Sequence, residues 1–152
     1  DLGGSIAFGH NDTGDTTRLI GADVTFRWRP LRRAIYRRLL ARAELVWSRK
    51  GIVPEEGAPG EPIRPQAFGG YLSVDYQLAR RWFAGTRLDR SERADDPARV
   101  DEGASFLLTF WPSEFSQIRT QYRYTRYADG IRANELLFQF LFSIGAHGAH
   151  AF

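Results

Sequence analysis

Hydrophobic and polar residues alternate with a period of two in eight separate runs, the pattern of strands that have one apolar face. The first run is short, with Ile6 and Phe8 alternating with Ser5, Ala7 and Gly9. In the second, Ile20, Ala22, Val24, Phe26 and Trp28 share one face, and Gly21, Asp23, Thr25, Arg27 and Arg29 share the other. The third sets Ala41, Ala43, Leu45 and Trp47 against Arg42, Glu44, Val46 and Ser48. The fourth sets Phe68, Leu72, Val74 and Tyr76 against Tyr71, Ser73, Asp75 and Gln77. Trp82, Ala84, Thr86 and Leu88 oppose Gly85, Arg87 and Asp89 in the fifth. Ala104, Phe106, Leu108 and Phe110 oppose Ser105, Leu107 and Thr109 in the sixth. Ile118, Thr120, Tyr122 and Tyr124 oppose Arg119, Gln121, Arg123 and Thr125 in the seventh. The eighth sets Leu136, Phe138, Phe140, Phe142 and Ile144 against Leu137, Gln139, Leu141 and Ser143. Residues 31–47 also admit an amphipathic helix, with Ile35, Leu39 and Leu40 near one face. The turn at Pro30 and the alternation from Leu40 onward favour a strand.

The connections differ in length. Those around residues 30–34, 79–81 and 112–114 are short; those at 11–17, 51–66, 90–102 and 129–133 are longer, two of them rich in Pro, Gly and charge. Short turns at one end and longer loops at the other predict an all-β, antiparallel up-and-down transmembrane β-barrel of eight strands, in one domain over 1–152. A Greek-key sandwich would not sort its loops this way.

Alternation alone does not say which face points inward. A soluble lipocalin-like barrel buries its apolar face, whereas a membrane barrel shows it to lipid. Three features favour lipid. The polar face carries full charges of both signs in mid-strand, among them Asp23, Arg27, Arg42, Glu44, Asp75, Arg87, Asp89, Arg119 and Arg123, which suits a lumen where charges pair. Aromatics gather near strand ends at Trp28, Trp47, Trp82, Trp111, Tyr124 and Tyr127, as rings do at a membrane–water boundary. Phe152 follows a long aromatic strand, a terminal residue similar to the assembly signal of Gram-negative outer-membrane barrels. With Phe152 at the periplasmic edge, the long loops are extracellular and the short turns periplasmic.

Composition narrows the classes. Aromatics at 14% of 152 residues exclude a disordered or low-complexity chain. No run reaches the length of a membrane helix; the richest, 136–142, is interrupted by Gln139. A net charge of +3 is too small to argue for nucleic acid. With no Cys there is neither a disulfide frame nor a thiolate metal site. The absence of Met leads us to expect residue 1 to begin a mature protein or a fragment.

Three strings carry a resemblance: RRWFAGTRLD over 80–89; PSEFSQIR over 112–119 followed by Gln121 and Tyr122; and FSIGAHGAHAF over 142–152. They resemble a Gram-negative outer-membrane barrel family of porin-like or zinc-regulated TonB-dependent-receptor-like proteins. The resemblance runs over most of the chain after Gly21 and implies the C-terminal portion of a longer barrel. These 152 residues hold no plug domain and no energy-coupling box, so active transport is not implied.

Other clusters are weaker. His147 and His150 lie three apart, but a zinc site needs three or four ligands. His10 sits beside Asn11 and Asp12 with no framed nucleophile; Ser5 and Ser48 lie elsewhere, so no enzyme is expected. Asp95, Asp96, Asp101 and Glu102 crowd one loop without calcium-loop spacing, so a solvated, mobile loop is expected rather than a cation site. Arg32, Arg33, Arg37 and Arg38 cluster at a short turn, facing phosphate headgroups or water. The best functional group is the lumen-lining set Arg27, Arg42, Glu44, Asp75, Arg87, Asp89, Arg119, Gln121 and Arg123. In a wide barrel it selects solutes; in a closed eight-stranded one it fills the interior.

The reading predicts a porin-like or receptor-like barrel in a Gram-negative outer membrane, moving small solutes. The other class considered is a small closed barrel with a structural or adhesive role. Partners are outer-membrane lipid, lipopolysaccharide and the barrel-assembly machinery; no cofactor and no nucleic acid are expected.

Overall fold

Bulky β-branched and aromatic side chains at alternate positions fill one side of a pleat and favour extended backbone. In the computed structural model, which describes residues 1–10, 16–32, 36–50 and 65–144, each of the eight runs is a strand. They are β1 (Leu2–His10), β2 (Thr16–Trp28), β3 (Leu39–Arg49), β4 (Gln66–Ala79), β5 (Trp82–Glu92), β6 (Val100–Ser113), β7 (Ser116–Arg126) and β8 (Arg132–Phe142). Their order in the single sheet is their order in the chain, and all seven neighbouring pairs are antiparallel. From Leu39 onward the helical alternative gives way to β3, because only a period of two keeps Arg42 and Glu44 apart from Leu45 and Trp47.

Residues 80–81 and 114–115 form two-residue turns at one edge. Such turns match strand twist best with φ above zero, yet among the described residues no non-glycine adopts it. The mismatch is absorbed beside each turn, where the register shifts between Gln77 and Ala79 and between Phe110 and Ser113. The third connection at this edge, residues 29–38, is longer than the short turn expected at 30–34. Pro30 cannot donate to a ladder, so β2 stops before it, and pairing resumes at Leu39. The other edge carries the connections 11–15, 50–65, 93–99 and 127–131. In the last of these Gly130 has φ of 80°, and its amide donates to the Tyr127 carbonyl at 2.9 Å.

The register never mixes faces. One row across the sheet reads Val24, Ala43, Leu72, Leu88, Ala104, Tyr124, and another reads Phe26, Ala41, Val74, Thr86, Phe106, Tyr122, Leu136. The sheet curls toward its polar side. Ser105 and Thr109 are 5% and 4% exposed, while Phe106 between them is 56% exposed. Among the described residues the buried hydrophobic core consists of Ala67, while Gln77, Ser105, Thr109, Ser116 and Gln117 are buried polar residues. A water-soluble barrel has the opposite arrangement.

β1 and β8 do not pair, so the sheet is open and the self-closed version of the eight-stranded barrel is not what forms. The polar face explains why. An eight-stranded interior has room only for packed side chains, whereas long Arg, Tyr and Glu side chains here stand around a groove of about 920 Å³. Expectations for Phe152, His147, His150, Arg33, Asn11, Asp12 and Ile35 lie outside the described residues.

Close strand approach makes Gly70 intolerant: an added Cβ would lie 2.6 Å from the Glu44 carbonyl oxygen. At Gly9 the same atom would meet nothing within 4 Å. Gly70→Ala is expected to cost about 1–3 kcal/mol by overpacking, and Gly9→Ala less than about 0.5 kcal/mol. Denaturant unfolding midpoints of the two variants check this; equal shifts would contradict the register.

Candidate functional site

Alternate residues of β2 to β8 face the concave side, and the register aligns them in rows. The central row reads Thr25, Arg42, Ser73, Arg87, Ser105, Arg123, Glu135. An arginine on every second strand is separated from the next by a small hydroxyl residue. Neighbouring strands lie about 4.8 Å apart, too close for three guanidinium groups abreast, and the Ser and Thr positions double that spacing. Each arginine has a carboxylate. Arg42 Nη2 lies 3.7 Å from Asp75 Oδ2, Arg87 Nε donates to Asp89 Oδ1 at 2.7 Å, and Arg123 Nε donates to Glu135 Oε2 at 2.8 Å. Arg87 also stacks over the Tyr71 ring at 3.8 Å. Arg119 Nε donates to Thr109 Oγ1 at 3.1 Å, and Gln121 Nε2 to Ser105 Oγ at 3.0 Å.

All nine residues singled out from the sequence line concave-face cavities. Glu44, Arg87, Asp89, Arg119, Gln121 and Arg123 surround the groove of about 920 Å³ over β3 to β7. Arg27, Arg42, Asp75 and Arg119 line a smaller cavity of about 290 Å³ near the two-residue turns. The two differ in charge. The groove is lined by Arg87, Arg119 and Arg123 against Glu44, Asp89 and Asp101. The smaller cavity is lined by five arginines and one carboxylate, Asp75.

Several participants were not singled out from the sequence. Gln77 is fully buried; its Oε1 accepts Arg38 Nε at 3.0 Å and its Nε2 donates to the Arg80 carbonyl at 3.1 Å. Arg38 was assigned to a turn facing headgroups or water, but it lines the smaller cavity with its guanidinium 5.5 Å from the Phe83 ring centre. Burial, and then the charge of Arg29, hold its pKa below the usual arginine value. The signal was present in Gln77, an uncharged polar residue in phase with Ser73 and Asp75, but nothing local distinguishes a buried amide from a solvated one.

The aromatics divide. Trp28, Trp47, Trp82 and Tyr124 share rows with the apolar face. Trp47 stacks obliquely on Phe68 with centroids 5.4 Å apart, and Trp82 on Phe110 at 4.6 Å. Trp111 and Tyr127 do not belong with them, because Trp111 lines the smaller cavity and Tyr127 the groove. Trp111 sits inside the register shift of β6 and is in phase with Leu107 and Thr109, so an end position did not imply the apolar face. Charged positions bound the apolar rows beyond Trp47 and Tyr124: Arg18 pairs with Arg49, and Arg90, Glu102, Arg126 and Arg132 form a row.

The acidic loop keeps Asp95 and Asp96 exposed to solvent, and several of its neighbours are tied down by hydrogen bonds and ion pairs. Asp101 Oδ1 accepts the Ala128 amide at 2.7 Å, Arg93 Nη2 reaches Asp129 Oδ2 at 2.9 Å, and Arg99 also pairs with Asp129. Glu102 pairs with Arg126, and Asp96 Oδ1 caps the Ala98 amide at 3.1 Å. These contacts pin the 93–99 connection to the 127–131 turn.

The chain is similar to an uncharacterized protein of Aquifex aeolicus (strain VF5), 29% identical over 148 residues. The match covers 90% of this chain and 31% of that protein, so the chain spans about a third of its relative's length. No protein-family model matches the chain. No solved structure matches it.

Gln77→Leu removes both side-chain bonds at a buried position and strands the partners. It is expected to cost about 1–3 kcal/mol, read as a lower denaturant midpoint. A midpoint shift within error would show that Arg38 is held by other means.

Proposed function

We propose that this chain is a wall segment of a larger outer-membrane β-barrel in a Gram-negative bacterium, its concave face lining a path for small solutes. The observation that carries this is the inverted polarity of the curvature: polar residues are buried on the inside of the bend and large apolar residues exposed on the outside. Phe138, Phe140, Leu136 and Ile6 are largely exposed, an arrangement that water penalises and lipid rewards. Apolar positions run from Ile20 to Trp28 on β2 and from Trp82 to Leu88 on β5. At about 3.4 Å per residue these measure roughly 20–27 Å along the strand, against an apolar band of about 25 Å in membrane barrels. Trp47 and Tyr124 mark one boundary and Trp28 and Trp82 the other.

Two free edges support the wall segment. Unpaired edge amides and carbonyls are costly in hydrocarbon, so a membrane-embedded sheet must be closed by further strands. The relative, with about two thirds of its length outside the match, is long enough to supply them. The resemblance to porin-like and TonB-dependent-receptor-like barrels fits this reading, with lipid and lipopolysaccharide against the convex face and the barrel-assembly machinery as folding partner.

Adjacent positions on β8 test the orientation. Phe138→Arg places a charge in lipid and is expected to cost about 2–4 kcal/mol of folding stability in vesicles. Leu137→Arg points to the concave side and is expected to cost less than about 1 kcal/mol. Equal tolerance in lipid vesicles would sink the membrane reading. The wall-segment reading is checked by the length of the native polypeptide in isolated outer membranes. A chain several times longer than 152 residues is expected; a species of this length alone, without partner chains to cover both edges, would contradict it.

A further inference from the structure

The charges on the concave face are unevenly distributed along the strands. Toward the long connections, cations and anions balance around the large groove. Toward the two-residue turns, Arg27, Arg29, Arg38, Arg42 and Arg119 surround a cavity of about 290 Å³ whose one carboxylate is Asp75. That carboxylate is engaged only loosely, at 3.7 Å from Arg42. Arg38 and Arg119 spend their Nε donors on neutral groups, the Gln77 amide oxygen and the Thr109 hydroxyl, which orient a guanidinium without neutralising it. Arg27 pairs with Asp1 at the exposed rim. Like charges gathered this way repel, and burial first, then the charge of Arg29, lower the pKa of Arg38.

The site is also built and partly apolar. Gln77, with no exposed surface, anchors Arg38 between β4 and the Arg80 carbonyl. Phe83 and Trp111 supply aromatic wall, and Leu40 adds an aliphatic one. Guanidinium groups carry donors in a planar fork that matches the two oxygens of a carboxylate or phosphate. The volume, about 290 Å³, lies just below the range of small-molecule sites, which begins at about 300 Å³.

We propose that this cavity is a binding site for a small organic oxyanion, a phosphate or carboxylate joined to an apolar body. The oxyanion sits among Arg38, Arg42 and Arg119, and the apolar body lies against Phe83 and Trp111. The proposal deepens the solute path above by naming the class of solute, and rests on that path for its biological meaning. The balanced groove would then admit solutes of either charge, while the arginine-rich cavity retains anions.

Isothermal titration calorimetry of the full native protein in detergent tests it, with phenyl phosphate as probe. Saturable binding that weakens as salt rises is expected. Inorganic phosphate, lacking the apolar body, and benzyl alcohol, lacking the charge, are each expected to bind at least about tenfold more weakly. Arg38→Gln with Arg119→Gln is expected to weaken phenyl phosphate at least about tenfold. Asp75→Asn removes the competing carboxylate and is expected to tighten binding at least about twofold, a gain that misfolding cannot produce. Benzyl alcohol or inorganic phosphate binding as tightly as phenyl phosphate, or unchanged affinity in both variants, would overturn the proposal. Flux of phenyl phosphate into vesicles is read separately. Binding without flux leaves this site standing and removes the solute path; flux without saturable binding removes this site alone.

Discussion

The rest of this structure depends on a register in which every strand meets its neighbour without mixing faces. Each of the seven pairings joins residues of the same parity class across the sheet, so one surface collects Phe, Leu, Ile and Val and the other collects Arg, Asp, Glu and Ser. A slip of one residue at any pairing would move a whole strand's charges into the apolar face. The two turn-side irregularities, next to residues 80–81 and 114–115, protect that register because they take up the misfit of the tight turns outside the paired rows.

From the register follows the packing of the concave face. Three long guanidinium groups stand in one row because Ser73 and Ser105 separate the strands that carry them. Each then reaches a carboxylate on its own or an adjacent strand. Such half-exposed pairs contribute little individually; their consequence is to fix where charge stands. Below this row the carboxylates thin out and arginines dominate, so the same face changes from balanced to cationic over two or three residues of strand. Balanced and unbalanced charge are therefore arranged along one axis by which residues the register makes neighbours.

Curvature gives these two surfaces different meanings. The bend toward the polar side buries Ser105, Thr109 and Gln77 and leaves the aromatic rows of β6 to β8 uncovered. Polar groups on the inside are satisfied by one another: among the described residues, no buried side-chain nitrogen or oxygen lacks a hydrogen-bond partner. The outside has nothing comparable, and β1 and β8 add two unpaired edges.

Local chemistry was enough to read the eight strands, the two faces of each and the two tight turns at 80–81 and 114–115, because side chains alternate by simple geometry and Pro and Gly interrupt the pattern; it missed the length of the 29–38 connection, which exceeds three of the four connections at the other edge. It was enough to collect the nine polar positions now found around the two cavities. It misplaced Trp111 and Tyr127, since proximity to a strand end says nothing of phase across a register shift. It also left open whether the sheet closes on itself, which depends on curvature summed over eight strands and on the bulk of side chains from distant strands. The tertiary structure alone decided that Arg42, Arg87 and Arg123 stand in one row, that Gln77 is buried against Arg38, and that five arginines converge where one carboxylate remains. Those facts are relations between residues remote along the chain, and a period of two carries no information about which row of one strand meets which row of the next.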